Sequence, residues 1–333
     1  MMHWKLSETI LHQFRKKNNS FVKFELQILG SSSAVPVKER ALSAQLLNVN
    51  EKLYLIDCGE GTQFQLQKFR ISHNKIDHIF ISHLHGDHIY GLPGLLNSMN
   101  LNSRTKKLNI YSPIGLQEMI DKIFEVSAAV MNFEINYYEV NTKIADRVLE
   151  NSDVEVNSFP LDHRIEAVGY RFIEKGKLRN IAPEVISRYN LSFSQIRAAK
   201  YGNDIKFEDG TVIANKALTL PPKKLRSFAY CSDTRYSPGL VNYIRNSDLI
   251  FHEATYLDDM KDKARERFHS TASEAAMIAK LSNAAKLIIG HFSSRYISIA
   301  KFREEAQQHF SNVELAEDGK IFQINSDKYE TEY

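Results

Sequence analysis

Three of the twelve histidines fall within six residues, in the run His83-Leu-His85-Gly-Asp87-His88. A metal ion needs several nitrogen or oxygen ligands that converge on one point, and a turn after a strand supplies them. His83 and His85 share one face if the preceding strand continues that far, while Gly86 allows a tight turn that brings Asp87 and His88 round. Neutral imidazole and carboxylate suit Zn²⁺ or a similar divalent ion. Four such groups exceed what one open catalytic metal takes from one loop, so the spacing predicts two adjacent metal ions.

A site for two metal ions needs further ligands from elsewhere in the chain. Three candidates, His163, Asp233 and His291, each follow a hydrophobic run that is typical of a strand. Side chains held at the ends of strands are rigidly placed, which favours these three positions as ligands. Because a carboxylate can bridge two cations, Asp233 is the candidate for the residue that both metals share.

Short strands with interleaved helices are the elements that must position these residues. Strand patterns occur at 21–29, 44–49, 53–57, 78–82, 108–111, 133–140, 154–159, 168–173, 227–231, 249–251 and 287–289. Helix patterns begin near Thr62 and cover 116–126, 271–281 and 299–309, and Thr271-Ala-Ser-Glu274 has the spacing of a capping box. With no repeat and no low-complexity tract, this order predicts a layered α/β domain.

Length and composition exclude several classes of protein. The chain has 333 residues, of which 43% are hydrophobic and 25% charged, so neither a membrane protein nor a disordered chain fits. No apolar run approaches the roughly 18 residues of a membrane span. Two cysteines, Cys58 and Cys231, cannot form a disulfide framework or a four-thiolate zinc site. Since the first 20 residues also lack the apolar region of a signal peptide, we expect a cytoplasmic protein.

One segment is strongly basic although the net charge of the chain is only +3. Two acidic residues stand there against seven basic ones, Lys175, Lys177, Arg179, Arg188, Arg197, Lys200 and Lys206. Such a segment either attracts phosphates or forms an ordinary solvated loop, and charge alone leaves both open. Because 174–222 also interrupts the strand and helix pattern, we predict an insertion in a domain over 21–325, with an extension at 1–20 and a tail at 326–333.

The motif from His83 to Gly94, His-Leu-His-Gly-Asp-His-Ile-Tyr-Gly-Leu-Pro-Gly, contains the H-x-H-x-D-H pattern of the metallo-β-lactamase superfamily. Its Gly-Leu-Pro-Gly continuation resembles the ribonuclease Z family of tRNA 3′-processing endonucleases. The resemblance covers about 24–324 and includes the motifs at 30–36, 57–63, 221–224, 230–235 and 291–296. The pair His252-Glu-Ala-Thr255 and His269-Ser-Thr271 is more restrictive than the first motif and indicates this family.

The resemblance implies an αββα sandwich with two zinc ions per subunit at one edge between two sheets. One zinc would be held by His83, His85 and His163, and the other by Asp87, His88 and His291. By the same resemblance Asp233 would bridge the two ions, while Asp57 would support the loop rather than bind metal. The family also implies a homodimer, and the composition predicts no membrane association.

The substrate implied by the resemblance is precursor tRNA, from which the enzyme removes the 3′ trailer. Asp87 would accept a proton from the attacking water, and His269, oriented by Glu253, would protonate the leaving oxygen. Arg295 either contacts a substrate phosphate or forms a surface salt bridge. The insertion would be the family's tRNA-binding arm, whose cations Lys175, Lys177, Arg179, Arg188, Arg197 and Lys200 would contact the RNA backbone.

Two alternatives remain on the sequence alone. A superfamily hydrolase of small phosphodiesters or lactones would lack both the basic arm and the His-Ser-Thr motif. A tRNA-binding protein that has lost catalysis would have a broken set of metal ligands, whereas all seven expected ligands are present here. These features favour the endoribonuclease.

Overall fold

The computed structural model describes residues 23–176, 178–181, 183–219 and 224–325. The described residues divide into two units, one made of Lys23–Glu174 and Arg226–Asn325, the other lying within Lys175–Leu225. The predicted extension at 1–20 and the predicted tail at 326–333 lie outside the described residues, as does Lys177 of the basic segment.

The first sheet of the larger unit contains seven strands among the described residues. Their order is Ile321–Gln323, Phe24–Gly30, Ala44–Val49, Lys52–Ile56, Ile76–Phe80, Leu108–Ser112 and Ile135–Glu139. The last four of these strands run parallel to one another. Because parallel strands end at the same edge of a sheet, the loop after Phe80 begins at that edge.

A second sheet, also of seven described strands, supplies the remaining strand ends near the predicted ligands. Its order is Val313–Leu315, Leu287–Gly290, Leu249–Glu253, Ser227–Cys231, Val168–Glu174, Val154–Pro160 and Asp146–Glu150. The first four strands run parallel. Asp233, Glu253 and His291 therefore stand at or just beyond the carboxyl ends of adjacent strands.

Alternation of apolar side chains divides the first sheet between two cores. Tyr54, Ile56 and Phe80 pack with residues of the second sheet, whereas Leu55 and Ile79 point to the opposite face. This period of two is what a sheet buried on both faces requires. The opposite face packs against the helices Thr62–Lys68, Leu92–Leu101 and Leu116–Val126.

The outer face of the second sheet is covered by the helices Ala272–Leu281 and Ala300–Gln307. Thr271 caps the first of these helices: its side chain accepts a hydrogen bond from the Glu274 amide, and the Glu274 side chain accepts one from the Thr271 amide. The capping box predicted from the sequence is therefore confirmed. Helix, sheet, sheet and helix form four layers, which confirms the predicted αββα sandwich.

Short elements complete the larger unit. They are the strands Ser32–Ser33 and Phe292–Ser293, the α-helices Gly86–Ile89, Val241–Ile244 and Lys261–Arg267, and the 3₁₀ helices His73–Lys75, Pro238–Leu240 and Asp258–Met260. Among the described residues, no helix has the length and apolarity that a membrane crossing requires.

The smaller unit has its own apolar core. Leu191, Ile196, Ala199, Ile205 and Leu218 are buried together. The elements around them are the helices Pro183–Tyr189, Phe193–Lys200 and Asn215–Leu218 and a short hairpin of Ile205–Lys206 and Val212–Ile213. Ser192 and Gln195 form a capping box at the start of the second helix. The segment is thus a folded body rather than a solvated loop.

Candidate metal centre and cleft

The seven predicted metal ligands come from four loops at the ends of strands. His83 and His85 follow the strand Ile76–Phe80, and the short helix Gly86–Ile89 carries Asp87 and His88. The other three residues, His163, Asp233 and His291, follow the strands Val154–Pro160, Ser227–Cys231 and Leu287–Gly290. The structure brings all seven into two neighbouring groups.

Close packing explains the glycines within and just after the histidine motif. A Cβ atom at Gly86 would lie 2.2 Å from the ring of Tyr90, and one at Gly91 would lie 2.1 Å from the carbonyl oxygen of Gly59. Neither distance is sterically possible. Ala34 adopts a left-handed conformation, with φ 60°, and its amide donates a hydrogen bond of 2.7 Å to Oδ2 of Asp87. The Asp87 carboxylate is thereby held from a second loop.

The first group consists of His83, His85, His163 and Asp233. Nδ1 of His85 lies 3.1 Å from Nε2 of His83 and 3.2 Å from Nε2 of His163. Oδ2 of Asp233 lies 3.5 Å from Nε2 of His83 and 3.9 Å from Nε2 of His163. Three ring nitrogens and one carboxylate oxygen therefore face a common point.

The second group consists of Asp87, His88 and His291. Nε2 of His291 lies 3.3 Å from both Nε2 of His88 and Oδ2 of Asp87. The other oxygen of Asp233, Oδ1, lies 3.2 Å from Nε2 of His291 and 3.5 Å from Nε2 of His88. Asp233 thus presents one oxygen to each group, which is the arrangement that a bridging carboxylate requires.

These residues fit divalent metal ions on chemical grounds. Oδ1 of Asp233 is buried and forms no hydrogen bond, although it lies close to two ring nitrogens. A single proton on Nδ1 of His85 can bond to only one of its two neighbours, Nε2 of His83 or Nε2 of His163, so at least one pair of lone pairs faces each other. A buried polar atom without a partner is costly. Cations placed between these atoms would satisfy all of them.

The remaining ring nitrogens of four histidines are occupied by partners outside the two groups. Nδ1 of His83 pairs with Oγ of Ser82 (3.0 Å), and Nδ1 of His88 pairs with Oδ2 of Asp57 (2.8 Å). Nδ1 of His163 pairs with the carbonyl oxygen of Phe268 (3.0 Å), and Nδ1 of His291 pairs with Oγ1 of Thr255 (2.9 Å). Such contacts orient the ring and leave Nε2 available to a metal.

Asp57 is the most connected of these supporting residues. It is fully buried, its φ is 56°, and it accepts hydrogen bonds from the amide and hydroxyl of Ser82 and from Tyr230. The Tyr230 hydroxyl lies 2.6 Å from Oδ2 of Asp57. Asp57 therefore ties both sheets to His88 without facing the metal groups itself.

The charges of the site favour bound cations. Burial alone would raise the pKa of Asp233, but the neighbouring histidines His291, His88 and His83 hold it well below its usual value. Burial would lower the pKa of His88, yet Asp233, Asp87 and Asp57 raise it well above the usual value. Three carboxylates around one buried imidazole thus create a negative potential that stabilises positive charge at this site.

His269 and Glu253 form a pair beside the metal groups. Nδ1 of His269 lies 3.0 Å from Oε1 of Glu253 and 3.2 Å from Oγ1 of Thr255. Burial alone would lower the pKa of His269, but the Glu253 carboxylate raises it to about 9. Glu253 is itself fixed, because its carboxylate accepts hydrogen bonds from the amides of Thr234, Thr255 and Ser270. The imidazole is therefore oriented, and in the metal-free protein it is protonated at neutral pH.

A cleft of about 740 Å³ opens over the metal groups, and its lining includes Asp87, His163, Asp233, His269 and His291. Four cationic residues also line it: Arg164, Lys263, Arg267 and Arg295. Arg295 stacks its guanidinium 5.3 Å from the ring centroid of Tyr256 and forms no salt bridge within the described part of the chain. Of the two possibilities raised for Arg295, its place in the cleft favours the phosphate contact.

The predicted cations of the basic segment fall into two groups by exposure. Arg188 and Arg197 are exposed, whereas Lys175, Arg179 and Lys200 are half-buried. Nε of Arg179 donates a hydrogen bond of 2.7 Å to Oγ1 of Thr219, so this residue also supports the fold of the smaller unit. Burial lowers the pKa of Lys200.

Sequence reasoning missed several residues that the site uses. The carbonyl of Phe268 and the hydroxyl of Thr255 orient two histidines, and neither residue type signals such a role. It also missed the cations of the helix Lys261–Arg267, which adjoin His269. A signal for them exists, since Lys and Arg alternate with other residues at 261, 263, 265 and 267.

Known proteins resemble this chain over nearly its full length. A protein called ribonuclease Z from Cytophaga hutchinsonii is 42% identical over 303 residues, covering 91% of this chain and 96% of its own. Ribonuclease Z from Bacteroides fragilis is 39% identical over 296 residues, covering 89% of this chain and 97% of its own. The human tRNase Z short form superposes with a TM-score of 0.67 at 29% identity, covering 90% of this chain and 99% of that structure.

A family model described as anti-Pycsar protein Apyc1 matches residues 24–176, the part that carries the histidine motif. The two stacked sheets and the converging His and Asp groups define a metal-dependent hydrolase of the metallo-β-lactamase fold. Within that class the extent of identity to the bacterial relatives is decisive. The chain belongs to the ribonuclease Z family and is an endoribonuclease that hydrolyses phosphodiester bonds.

Proposed function

We propose that this endoribonuclease removes the 3′ trailer from precursor tRNA with two zinc ions per subunit, leaving a tRNA 3′-hydroxyl and a 5′-phosphorylated trailer. The observation that carries the proposal is the pair of ligand groups joined by Asp233, one oxygen to each. The relatives named ribonuclease Z and tRNase Z support tRNA as the substrate. His83, His85 and His163 would hold one ion, and Asp87, His88 and His291 the other.

Zinc ions bound there would stabilise charge on the phosphoryl oxygens and lower the pKa of a neighbouring water molecule. Asp87 would accept a proton from the attacking water as the water oxygen bonds to phosphorus. The Ala34 amide orients Asp87 for this role, because it holds Oδ2 at 2.7 Å. Burial favours protonation of the carboxylate, but His88 and His291 lower its pKa far below the usual value, so it is ionised and able to bind a metal ion. The carboxylate is thus oriented before substrate binds.

The bond between phosphorus and O3′ of the tRNA breaks in the same step, and the leaving oxygen needs a proton. His269 supplies it from Nε2, because Nδ1 is bound to Glu253. Glu253 keeps the imidazolium charged until the transfer and then stabilises the tautomer with the proton on Nδ1. Arg295, in the cleft, binds a non-bridging phosphate oxygen.

The smaller unit is proposed to bind the RNA backbone. Arg188 and Arg197 are its exposed cations from the predicted set, and Lys175, Arg179 and Lys200 add charge from half-buried positions. Lysines and arginines that neutralise phosphates give affinity that falls with salt and carries no base readout. We also propose that the chain acts as a cytoplasmic homodimer; light scattering of the purified protein checks the dimer.

Two other functions fit the observations less well. An inactive tRNA-binding protein has no need of seven converging ligands or of an oriented His269. A hydrolase of small phosphodiesters would need the metal groups but gives no reason for a separate basic unit. Cleavage of small substrates with no action on precursor tRNA would favour that second candidate.

The experiment that tests the proposal is the substitution Asp233→Asn. It removes the negative charge of the bridging ligand, so we expect at least one of two zinc ions to be lost and cleavage of precursor tRNA to fall below detection. Metal content is measured by mass spectrometry after gel filtration. The control is Asp121→Asn, at an exposed carboxylate on the helix Leu116–Val126. Full metal content with undiminished cleavage in Asp233→Asn would contradict the assignment.

A further inference from the structure

A second cavity adjoins the metal cleft, and His269 lines both. It has a volume of about 240 Å³, and Arg235, Tyr236, Lys261 and Arg265 also line it. The proposed proton donor therefore forms the boundary between the space above the metal groups and a cavity with three cationic residues.

The helix Lys261–Arg267 places cations on both sides of that boundary. Lys261 and Arg265, one turn apart, line the second cavity, whereas Lys263 and Arg267, also one turn apart, line the metal cleft. Ala264 is buried and anchors the helix between the two pairs. The helix ends in a left-handed turn at Phe268, which leads directly to His269.

The three cations of the second cavity differ in whether their charge is already paired. Nε of Arg235 lies 2.6 Å from Oδ2 of Asp162, and Nζ of Lys261 lies 3.7 Å from Oε1 of Glu274. Arg265 is exposed and has neither an ion pair nor a side-chain hydrogen bond among the residues that the structure describes. Although Asp262 and Glu274 also line the cavity, Arg265 is the cation with charge to offer a ligand.

The leaving oxygen determines which part of the substrate meets this cavity. A proton donor must lie within hydrogen-bond distance of the oxygen that it protonates. In the proposed reaction the scissile phosphate would lie over the metal groups with O3′ facing His269, so the nucleoside that carries O3′ can extend past His269 into the second cavity. Its base can stack on the ring of Tyr236, as unpaired bases do on aromatic side chains.

We infer that the second cavity holds the last nucleotide of the tRNA, the one whose O3′ is released, and that Arg265 binds the phosphate on its 5′ side. This inference rests on the proposed function, because it names the place of one nucleotide in the same reaction. Lys263 and Arg267 lie on the other side of His269, where the trailer leaves. The helix Lys261–Arg267 would then hold the strand on both sides of the cut.

The first test is Arg265→Gln, assayed on precursor tRNA and on bis(p-nitrophenyl) phosphate. We expect kcat/KM for precursor tRNA to fall about tenfold, the effect of losing one charge-assisted hydrogen bond. Hydrolysis of the small diester should be unchanged, because it has no phosphate at that position. The matched control is Arg245→Gln, at an exposed arginine outside both cavities. Equal cleavage of precursor tRNA by Arg265→Gln and the wild type overturns the inference.

The second test pairs the variant with an altered substrate. A precursor tRNA carries a neutral methylphosphonate immediately 5′ of its last tRNA nucleotide. Relative to unmodified precursor tRNA, the wild type should lose about tenfold in kcat/KM on this substrate. The Arg265→Gln variant should lose less than about twofold on the same change of substrate, because its interaction with that phosphate is already absent. Equal losses in the two proteins would overturn the inference. A wild type that cuts no precursor tRNA at all instead refutes the proposed function.

Discussion

The substitution Asp57→Asn tests whether the contacts behind the ligands control metal binding. Asp57 is fully buried and accepts four hydrogen bonds: at Oδ1 from the Ser82 amide (2.7 Å), and at Oδ2 from the Ser82 hydroxyl (2.9 Å), His88 (2.8 Å) and Tyr230 (2.6 Å). An asparagine has the same shape but only one acceptor oxygen. Its NH₂ group must replace either the oxygen facing the Ser82 amide or the oxygen facing three other groups.

In one orientation the NH₂ group of the asparagine faces the Ser82 amide, donor against donor, and in the other it faces Nδ1 of His88, which donates to Asp57 in the wild type. One unsatisfied buried donor and the loss of a charged acceptor together cost about 3 kcal/mol of unfolding free energy. If the NH₂ group faces His88, Nδ1 must accept a hydrogen bond and therefore carries no proton. The proton of the neutral imidazole then lies on Nε2, the atom directed at the metal, and blocks metal binding. Supporting contacts of this kind change metal affinity about 10- to 100-fold.

Two assays measure the effects of Asp57→Asn. Urea unfolding of the metal-free variant should give the loss of stability, and competition with a chelating dye should give the loss of zinc affinity. Asp153→Asn is the control: this partly exposed carboxylate pairs with Lys52 and accepts a hydrogen bond from Asn50, and a surface ion pair contributes up to about 1 kcal/mol. Zinc affinity within twofold of the wild type and unchanged stability in Asp57→Asn would refute this reasoning.

Two further predictions concern the proton donor and the basic unit. In the metal-free protein, NMR titration should give His269 a pKa of about 9, and Glu253→Gln should lower it; an unchanged pKa would contradict the pairing. The pKa of His269 in the folded protein lies above its pKa of about 6.5 in the unfolded chain. The His269–Glu253 pair therefore stabilises the metal-free fold fully below pH 6.5, and this stabilisation is lost as the pH rises through 9. Substituting both Arg188 and Arg197 by Gln should weaken tRNA binding and reduce its salt dependence, while small-diester hydrolysis persists. An unchanged salt slope would refute the phosphate contacts.

The local part of the site was predictable because its ligands are close in sequence. His83, His85, Asp87 and His88 lie on one turn, and strand ends together with the family motifs pointed to His163, Asp233 and His291. Asp233 was predicted as the residue that both metals share, but the geometry that directs one of its oxygens to each group was not predictable. It depends on where strands of different sheets end relative to one another, which the sequence does not state.

Elements with mixed signals were missed. The helix Leu92–Leu101 begins in Gly-Leu-Pro-Gly, which suggests a turn, yet proline is tolerated in a first turn. The strand Asp146–Glu150 lies at a sheet edge with exposed charged residues and so lacks the usual alternation. Along Lys261–Arg267 acidic residues offset the cations in sequence, and only the helix geometry separates Lys261 and Arg265 from Lys263 and Arg267.

Cleavage of a 3′-extended precursor tRNA by the purified, zinc-loaded protein tests the central claim most directly, with both product ends mapped. The account predicts a single cut that leaves a 3′-hydroxyl on the tRNA and a 5′-phosphate on the trailer, and no cut in the presence of excess chelator. An intact precursor, under conditions in which the same preparation hydrolyses bis(p-nitrophenyl) phosphate, would contradict it.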